Sequence, residues 1–303
     1  MKKLISISLL VLIVVAFACN QAGENSSADE LYKSSDFTPV NSFTSGAEGP
    51  AVDNDGNVYA VNYSKQGTIG KITPAGEGSI FIELPDSSIG NGIRFNSNGD
   101  MMIADYINHN ILKVNMADKQ ISVYAHDSTM NQPNDIAIDS KDRLYASDPN
   151  WKDSTGRIWR IDTDGKMQIL EDNMGTTNGI EVSPDNKHLY VNESVQRKVW
   201  TYDLSADGSI SNKRILIEFP DFGMDGMRCD VDGNLYIARH GKGTVAKVSP
   251  GGKLLEETIL AGKKPSNVAF GGKDGRTVYI TLQDRQNIEM FRVDQPGREW
   301  KKK

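Results

Sequence analysis

Six polar residues with side-chain oxygens open six similar segments of the sequence. Two are carboxylates and four are amides, and none is basic or apolar. Such oxygens suit a hard cation, and Ca²⁺ takes about six to eight of them. The four histidines do not gather at these places, as a typical zinc site would require. We predict a bound Ca²⁺, with Mg²⁺, Mn²⁺ or Zn²⁺ as alternative cations. The six residues are Glu48, Asn91, Asn134, Asn178, Asp225 and Asn267.

A structural polar channel is the alternative interpretation of these residues, because Asn and Asp before Gly are also common in turns. Asn134 and Asn267 have no Gly after them, and Glu48 is a poor turn former. These three exceptions favour the cation site over the turn explanation.

The segments that carry these residues repeat about every 40–45 residues, as the blades of a β-propeller do. Each has two alternating strands around a turn, such as Asp232-Gly233, and then two further apolar stretches. We predict an all-β, six-bladed propeller of four-stranded blades over residues 37–303. A pair of β-sandwiches would not explain a sixfold period.

The sixth repeat lacks a fourth strand, because only "DQPGREWKKK" follows "IEMFRV". The N-terminal stretch "FTPVNSFTS" (37–45) is predicted to supply it and so to close the ring, which leaves no exposed sheet edge.

The first 19 residues have the features of an export signal. Lys2 and Lys3 precede a fifteen-residue apolar run that is too short to span a membrane comfortably, since a transmembrane helix needs about 20 residues. The run ends in "AFAC", which resembles a bacterial lipoprotein signal, so Cys19 is predicted to be lipidated. An ordinary secretory signal is the alternative. Residues 20–36 then form a flexible tether, and the protein is expected to be a monomer in the cell envelope, anchored at the outer membrane or at the periplasmic or extracellular face.

Composition narrows the classes of function. The net charge of −6 argues against a nucleic-acid partner, since phosphate binding needs a basic surface. No G-x-S-x-G motif occurs, so serine nucleophile chemistry is not expected. Cys229 lies in an apolar strand pattern and is predicted to be a small buried residue.

Several short motifs together resemble the senescence-marker-protein/gluconolactonase/luciferin-regenerating-enzyme family of six-bladed propellers. They are "EGP", "PND", "TNGI", "DGM" and the closing "KKPSNVAFGGKDGRTVYITL", and the likeness covers residues 45–294. The resemblance implies one divalent cation, usually calcium, and hydrolysis of a small-molecule substrate, a sugar-type lactone. It implies Glu48, Asn178 and Asp225 as metal ligands and Asn134 as a ligand or a substrate contact. It also implies Asp225 as general base, although metal-activated water would serve the same step.

Further candidates end the second strand of each repeat: Asn62, Asp105, Asp148, Glu193 and His240. We expect this set to lie at the opposite face of the propeller. Asp148 is retained as a substrate-binding candidate with Asn91 and Asn134, because "ASDPNW" resembles a "TDP" stretch of the family. His240 is expected to be structural rather than a proton carrier.

Two other functions use the same architecture. A phosphotriester hydrolase would keep the cation and polarise P=O in place of C=O. A non-catalytic propeller would bind a ligand or partner, but it would not need the carboxylates Glu48 and Asp225.

Overall fold

The computed structural model describes residues 30–300, and twenty-four strands form six four-stranded antiparallel sheets. The chain starts with β1 (Ser35–Asp36). Blade 1 contains β2 (Phe43–Val52), β3 (Val58–Tyr63), β4 (Thr68–Ile72) and β5 (Gly78–Glu83). Blade 2 contains β6 (Gly90–Phe95), β7 (Met101–Asp105), β8 (Asn110–Val114) and β9 (Ile121–His126). Blade 3 contains β10 (Ile136–Ile138), β11 (Leu144–Asn150), β12 (Thr155–Ile161) and β13 (Met167–Met174).

The second half of the chain repeats the same order. Blade 4 contains β14 (Thr177–Val182), β15 (His188–Glu193), β16 (Lys198–Leu204) and β17 (Ile210–Glu218). Blade 5 contains β18 (Met227–Cys229), β19 (Leu235–Arg239), β20 (Thr244–Val248) and β21 (Leu254–Ile259). Blade 6 contains β22 (Pro265–Gly271), β23 (Thr277–Leu282), β24 (Asn287–Arg292) and the N-terminal β1. The predicted six-bladed all-β propeller is confirmed.

The hydrophobic core lies between blades. Each of six apolar clusters joins side chains of two adjacent blades, and the last one joins Tyr279 and Ile288 of blade 6 to Phe43 and Val58 of blade 1. Burial of each large apolar side chain contributes about 1.5–3 kcal/mol. Closure of the ring therefore gives every blade two packed faces. Cys229 belongs to one of these clusters and is buried, as predicted.

Ring closure by an N-terminal strand is confirmed, but the predicted segment is wrong. Ser35 and Asp36 pair with Met290 and Glu289 of β24. Phe43 instead begins the inner strand of blade 1, so residues 37–42 connect the two elements. The pairing also places the last residues of the predicted tether against blade 6.

The hairpin turns follow the predicted chemistry. In blade 5, the N–H of Gly233 donates to the carbonyl of Asp230, and Gly233 has a φ of +81°, which glycine adopts at no steric cost. Asp232-Gly233 is thus the turn between β18 and β19.

The predicted signal segment and lipidated Cys19 lie outside the described residues. Within residues 30–300, no helix has the length and apolar character to cross a membrane.

Candidate functional site

The inner strands bring five of the six predicted residues into one cavity at a mouth of the central channel. The cavity holds about 570 Å³. Glu48, Asn91, Asn134, Asn178 and Asp225 all line it. These side chains converge because each belongs to the innermost strand of its own blade or directly precedes it. Glu48 lies within β2, and the other four lie within two residues of the start of their strands.

The sixth repeat is shifted by one residue relative to the prediction. Val268 pairs with Ile280 as Met227 pairs with Ile237, which makes Ser266 the counterpart of Asp225. Asn267 therefore lies one position further along the strand and does not line the cavity. A one-residue slip turns a strand's side chain to another direction, which explains why Asn267 was wrongly placed.

Glycines follow four of the cavity residues because the inner strands approach closely. A Cβ at Gly226 would lie 1.9 Å from Cγ of Asn267. A Cβ at Gly49 would lie 1.8 Å from the carbonyl oxygen of Asn91, and Gly49 also has a φ of +55°. The pairs Glu48-Gly49 and Asp225-Gly226 are thus a ligand candidate followed by a residue that must have no side chain.

The two carboxylates of the cavity repel each other in a buried setting. Burial raises the pKa of Glu48 to about 8, and the nearby Asp135 adds to the rise. Burial, and then the charge of Glu48, raise the pKa of Asp225 well above its usual range. The Glu48 carboxylate accepts a hydrogen bond from the Gly49 N–H at 2.9 Å, and the side chain of Asn178 hydrogen-bonds Asp225. Both carboxylates lack a cationic partner in the cavity lining.

Two amide oxygens in the cavity also lack partners. Within residues 30–300, Oδ1 of Asn91 and Oδ1 of Asn178 are buried and accept no hydrogen bond. Buried polar atoms without partners are uncommon and call for an explanation. Two carboxylates and two free amide oxygens around one cavity are the donor set that a hard divalent cation needs. The described residues contain no group of three or more His, Cys, Asp or Glu that could hold a metal.

Backbone contacts hold Asp225 in place. The Asp225 N–H donates to the carbonyl of Ala238 at 2.9 Å, and Nδ2 of Asn192 donates to the carbonyl of Asp225 at 2.7 Å. The hydroxyl of Ser194 donates to the carbonyl of Met224, the preceding residue. The backbone around the proposed base is therefore tied to β15 and β19.

A buried ionic network fills the channel next to the cavity. Asp135 is fully buried and pairs with Arg94 at 3.5 Å and with Arg228 at 3.1 Å. Arg228 also donates to Oδ1 of Asn267 at 3.2 Å. Sequence reasoning missed this network, although Asp135 directly follows Asn134 at a position where blades 1, 2, 4 and 5 have glycine.

The second strands end at the same mouth as the first strands begin, contrary to our expectation of the opposite face. In an antiparallel hairpin these two ends are neighbours, as the pairing of Gly90 with Asp105 shows. Asn62 and His240 accordingly line the cavity. His240 lies 3.3 Å from Oε1 of Gln283, and burial lowers the pKa of its imidazole.

The other three second-strand residues support loops at this mouth. Asp105 accepts hydrogen bonds from the N–H groups of Ile107 and Asn108. Glu193 accepts one from the N–H of Gly175 at 2.8 Å. These carboxylates fix the backbone that surrounds the cavity.

Asp148 is buried and has three partners. Its carboxylate accepts hydrogen bonds from the N–H groups of Asn131 and Gln132, each at 2.7 Å, and from Nε1 of Trp159 at 3.0 Å. It does not line the cavity. The structure thus gives Asp148 a place in loop support, and its contact with substrate stays a prediction.

Sequence reasoning also missed part of the cavity wall. Tyr106, Ile107 and Trp151 line one part of it, and the Tyr106 hydroxyl interacts with the side chains of Gln132 and Trp151. The only advance signal was the motif "ASDPNW", whose last residue is Trp151.

The fold and the cavity define a six-bladed propeller with a cation-type donor set at one mouth of its channel. Residues 46–284 match the family described as the SMP-30/Gluconolactonase/LRE-like region. The chain belongs to this family.

Several relatives are similar along the chain. A gluconolactonase of Zymomonas mobilis is 27% identical over 78% of this chain and 75% of its own length. The diisopropyl-fluorophosphatase of Loligo vulgaris is 25% identical over 86% of this chain and 93% of its own. A 6-deoxy-6-sulfogluconolactonase of Pseudomonas putida is 31% identical, but the match spans only 51% of this chain and 54% of the relative. A solved gluconolactonase from Xanthomonas campestris has the same fold, with a TM-score of 0.74 and 19% identity over 86% of this chain and 89% of that one.

Proposed function

We propose that the protein is a lactonase that depends on a divalent cation, which we take to be Ca²⁺. The observation that carries the proposal is the cavity, where Glu48 and Asp225 meet amide oxygens that have no other partner. Lactonases among the relatives support the choice of reaction.

Glu48, Asn134, Asn178 and Asp225 are the residues that would hold the cation. A bound cation would polarise the lactone carbonyl and stabilise negative charge on its oxygen. Asn91 offers its free Oδ1, and its amide N–H₂ group can donate to oxygens of the substrate.

Asp225 is the proposed general base. Its carboxylate takes a proton from water as the water oxygen bonds to the acyl carbon. The ring C–O bond then breaks, the ring oxygen gains a proton, and a hydroxy acid results. Asn178 orients the carboxylate, and Asn192 holds the Asp225 backbone.

The key experiment compares Asp225→Asn with Asp232→Asn, its neighbour in the same blade. Asp232 is exposed in the hairpin turn, so its variant controls for the loss of one carboxylate. We expect kcat/KM on a panel of lactones to fall at least about 100-fold for Asp225→Asn, because a general base contributes about 10²–10⁴-fold. The control should stay near wild type.

Chelation gives a separate check. Activity should disappear in EDTA and return with added calcium, and calorimetry should show weaker calcium binding for Glu48→Gln. Full turnover in EDTA, or a fully active Asp225→Asn variant, would refute the proposal.

A phosphotriesterase is the second candidate, favoured by the long alignment with the Loligo vulgaris enzyme. The same cavity would place P=O where the lactone carbonyl lies. Hydrolysis of a fluorophosphate by wild-type protein that leaves lactones intact would select this candidate.

We further propose that the mature protein is a monomer anchored at the cell envelope through a lipid on Cys19. The support is the sequence "AFAC" after an apolar run. Wild-type protein should enter the detergent phase of a Triton X-114 partition, and Cys19→Ala should stay in the aqueous phase. Mass spectrometry of the N-terminal peptide would contradict the proposal if Cys19 carried no lipid.

A further inference from the structure

The described residues that line the cavity include acidic side chains but no lysine or arginine. The acidic side chains are those of Glu48 and Asp225. Burial lowers the pKa of the His240 imidazole and so disfavours its cationic form. An anionic group on a substrate would therefore meet carboxyl and amide groups and no cationic side chain.

A bound divalent cation does not change this conclusion. Glu48 and Asp225 would lie beside such a cation, and the lining offers no lysine or arginine to bind a sulfonate or phosphate. The arginines of the adjoining ionic network, Arg94 and Arg228, are almost fully buried and already pair with Asp135. Lys264 acts on His240 from outside the lining, and its influence is tested below.

One part of the cavity wall and its rim is apolar. Ile107 and Trp151 line the cavity and remain 43% and 39% exposed. Val195 and Phe222 are 57% and 50% exposed and are the sequence neighbours of the lining residues Ser194 and Gly223. Monomeric proteins expose single apolar residues freely, but a group beside a cavity marks a binding surface.

The aromatic wall is ordered before any ligand arrives. The side chains of Gln132 and Trp151 hydrogen-bond the Tyr106 hydroxyl, and burial raises the Tyr106 pKa, so its ring stays neutral. When an apolar ligand covers the Tyr106 ring and the Ile107 side chain, each Å² of buried apolar surface contributes about 25 cal/mol to binding. A polyhydroxylated ring would lose hydration against this wall.

The volume also exceeds what one small ring requires. Cavities of about 300–1,000 Å³ hold drug-sized ligands, and this one has about 570 Å³. Space therefore remains beside a lactone ring at the carboxylate end.

We propose that the substrate is an uncharged lactone with an apolar substituent. The carbonyl lies at Asp225, and the substituent lies against Tyr106, Ile107 and Trp151. The inference rests on the proposed lactonase function and names the substrate class of that site.

The test uses three six-membered lactones that differ in the ring substituents. One carries an alkyl chain, one the hydroxyls of a hexose, and one a sulfonate or phosphate. We expect kcat/KM to be at least about tenfold higher for the alkyl lactone than for the polyol, since one or two methylenes in an apolar pocket give such factors. The anionic lactone should be the poorest substrate.

The variant Ile107→Lys removes apolar surface and adds a cation at the wall. It should lower kcat/KM for the alkyl lactone about tenfold or more and raise it for the anionic lactone. Val123→Lys is the matched control, because Val123 is also an exposed aliphatic residue, at 58% against 43% for Ile107, and lies on the outer strand β9. Lys264→Ala should leave the order of the three substrates unchanged.

Binding of the matching lactams, in which N–H replaces the ring oxygen, separates the two hypotheses. Calorimetry should show the highest affinity for the alkyl lactam and the lowest for the anionic lactam, and this measurement does not require turnover. If the lactams follow this order and no lactone is hydrolysed, the proposed function fails and the ligand class holds. If lactones are hydrolysed with the polyol or the anion preferred, or all three alike, the inference is overturned and the function stands.

Discussion

Two residues decide the geometry of each cation-ligand candidate: the polar residue itself and the one that follows it. At Glu48-Gly49 and Asp225-Gly226 the second residue has no side chain, so a neighbouring inner strand can approach. In blade 3 that place is taken by Asp135, whose side chain enters the buried network with Arg94. The chemistry of the channel is thus set by which blades have glycine and which have a side chain.

The substitution Gly49→Ala tests this close approach. Its Cβ would lie 1.8 Å from the Asn91 carbonyl oxygen, so a backbone must shift. We expect a loss of about 1–3 kcal/mol from overpacking, and about 1–2 kcal/mol more from the positive φ. Urea titrations of wild type and Gly49→Ala measure the change in the free energy of unfolding.

Gly99→Ala is the control for this substitution. Gly99 also has a positive φ, +83°, but nothing lies within 4 Å of its added Cβ. Equal losses for the two variants would mean that backbone strain alone matters and that the inner strands can separate freely.

At the scale of the strands, the repeated pattern of the sequence was enough to predict six blades and most of their strands. The pattern did not contain the closing strand, because β1 has only two residues and its ladder to β24 depends on a partner over 250 residues away. The register of blade 6 was also missed, since Ser266 and Asn267 are both polar. Local alternation cannot choose between adjacent polar residues, and only pairing across the sheet does so.

The closing strand is held by an ion pair that acid should weaken. Asp36 accepts two hydrogen bonds from Arg285, at 2.5 and 2.9 Å, and this contact lowers the Asp36 pKa. A lowered carboxyl pKa contributes stability above the unfolded-state pKa, and the contribution disappears as pH falls through the folded-state value. The free energy of unfolding of wild type should therefore exceed that of Asp36→Asn by about 0.2–1 kcal/mol at pH 7, and this difference should disappear near pH 2.

Urea titrations of the two proteins at both pH values measure this gap. Asp55→Asn, in the exposed turn between β2 and β3, is the matched control. A gap that does not depend on pH would show that the Asp36 charge plays no part in closure.

At the scale of the whole molecule, the channel has different chemistry at its two ends. One mouth holds the cavity with Glu48 and Asp225. At the other end, residues after the last strand of blade 6 return to the inner strands, where Gly297 bridges Asp230 and the Arg298 N–H donates to the Cys229 carbonyl. The ionic network lies between the two ends of the channel. We therefore expect substrate to enter through the mouth that holds the cavity.

Arg298 is the side chain through which the C-terminal segment closes that end. It is almost buried, its Nε lies 2.8 Å from Oε1 of Glu181, and its Nη2 donates to the Ile138 carbonyl at 2.5 Å. Burial raises the pKa of Glu181, and Arg298 and then Arg94 oppose the rise. In Arg298→Met, the buried Glu181 carboxylate keeps only Arg94, which is 3.5 Å away and also pairs with Asp135. Because removal of one partner of a buried ion pair is strongly destabilising, we expect the free energy of unfolding to fall by about 3–5 kcal/mol at pH 8.

The pH dependence identifies the cause of that loss. Without Arg298 the Glu181 pKa rises further, so the folded state takes up a proton more readily than the unfolded state does. Stability of Arg298→Met relative to wild type should therefore recover as pH falls from 8 to 5. The double variant Glu181→Gln/Arg298→Met should regain most of the loss at pH 8, as a buried pair replaced by neutral groups often does. If instead the loss of unfolding free energy is the same at both pH values and is not reduced in the double variant, Arg298 acts through packing and its hydrogen bond to Ile138. The charge of Glu181 would then not need the C-terminal segment.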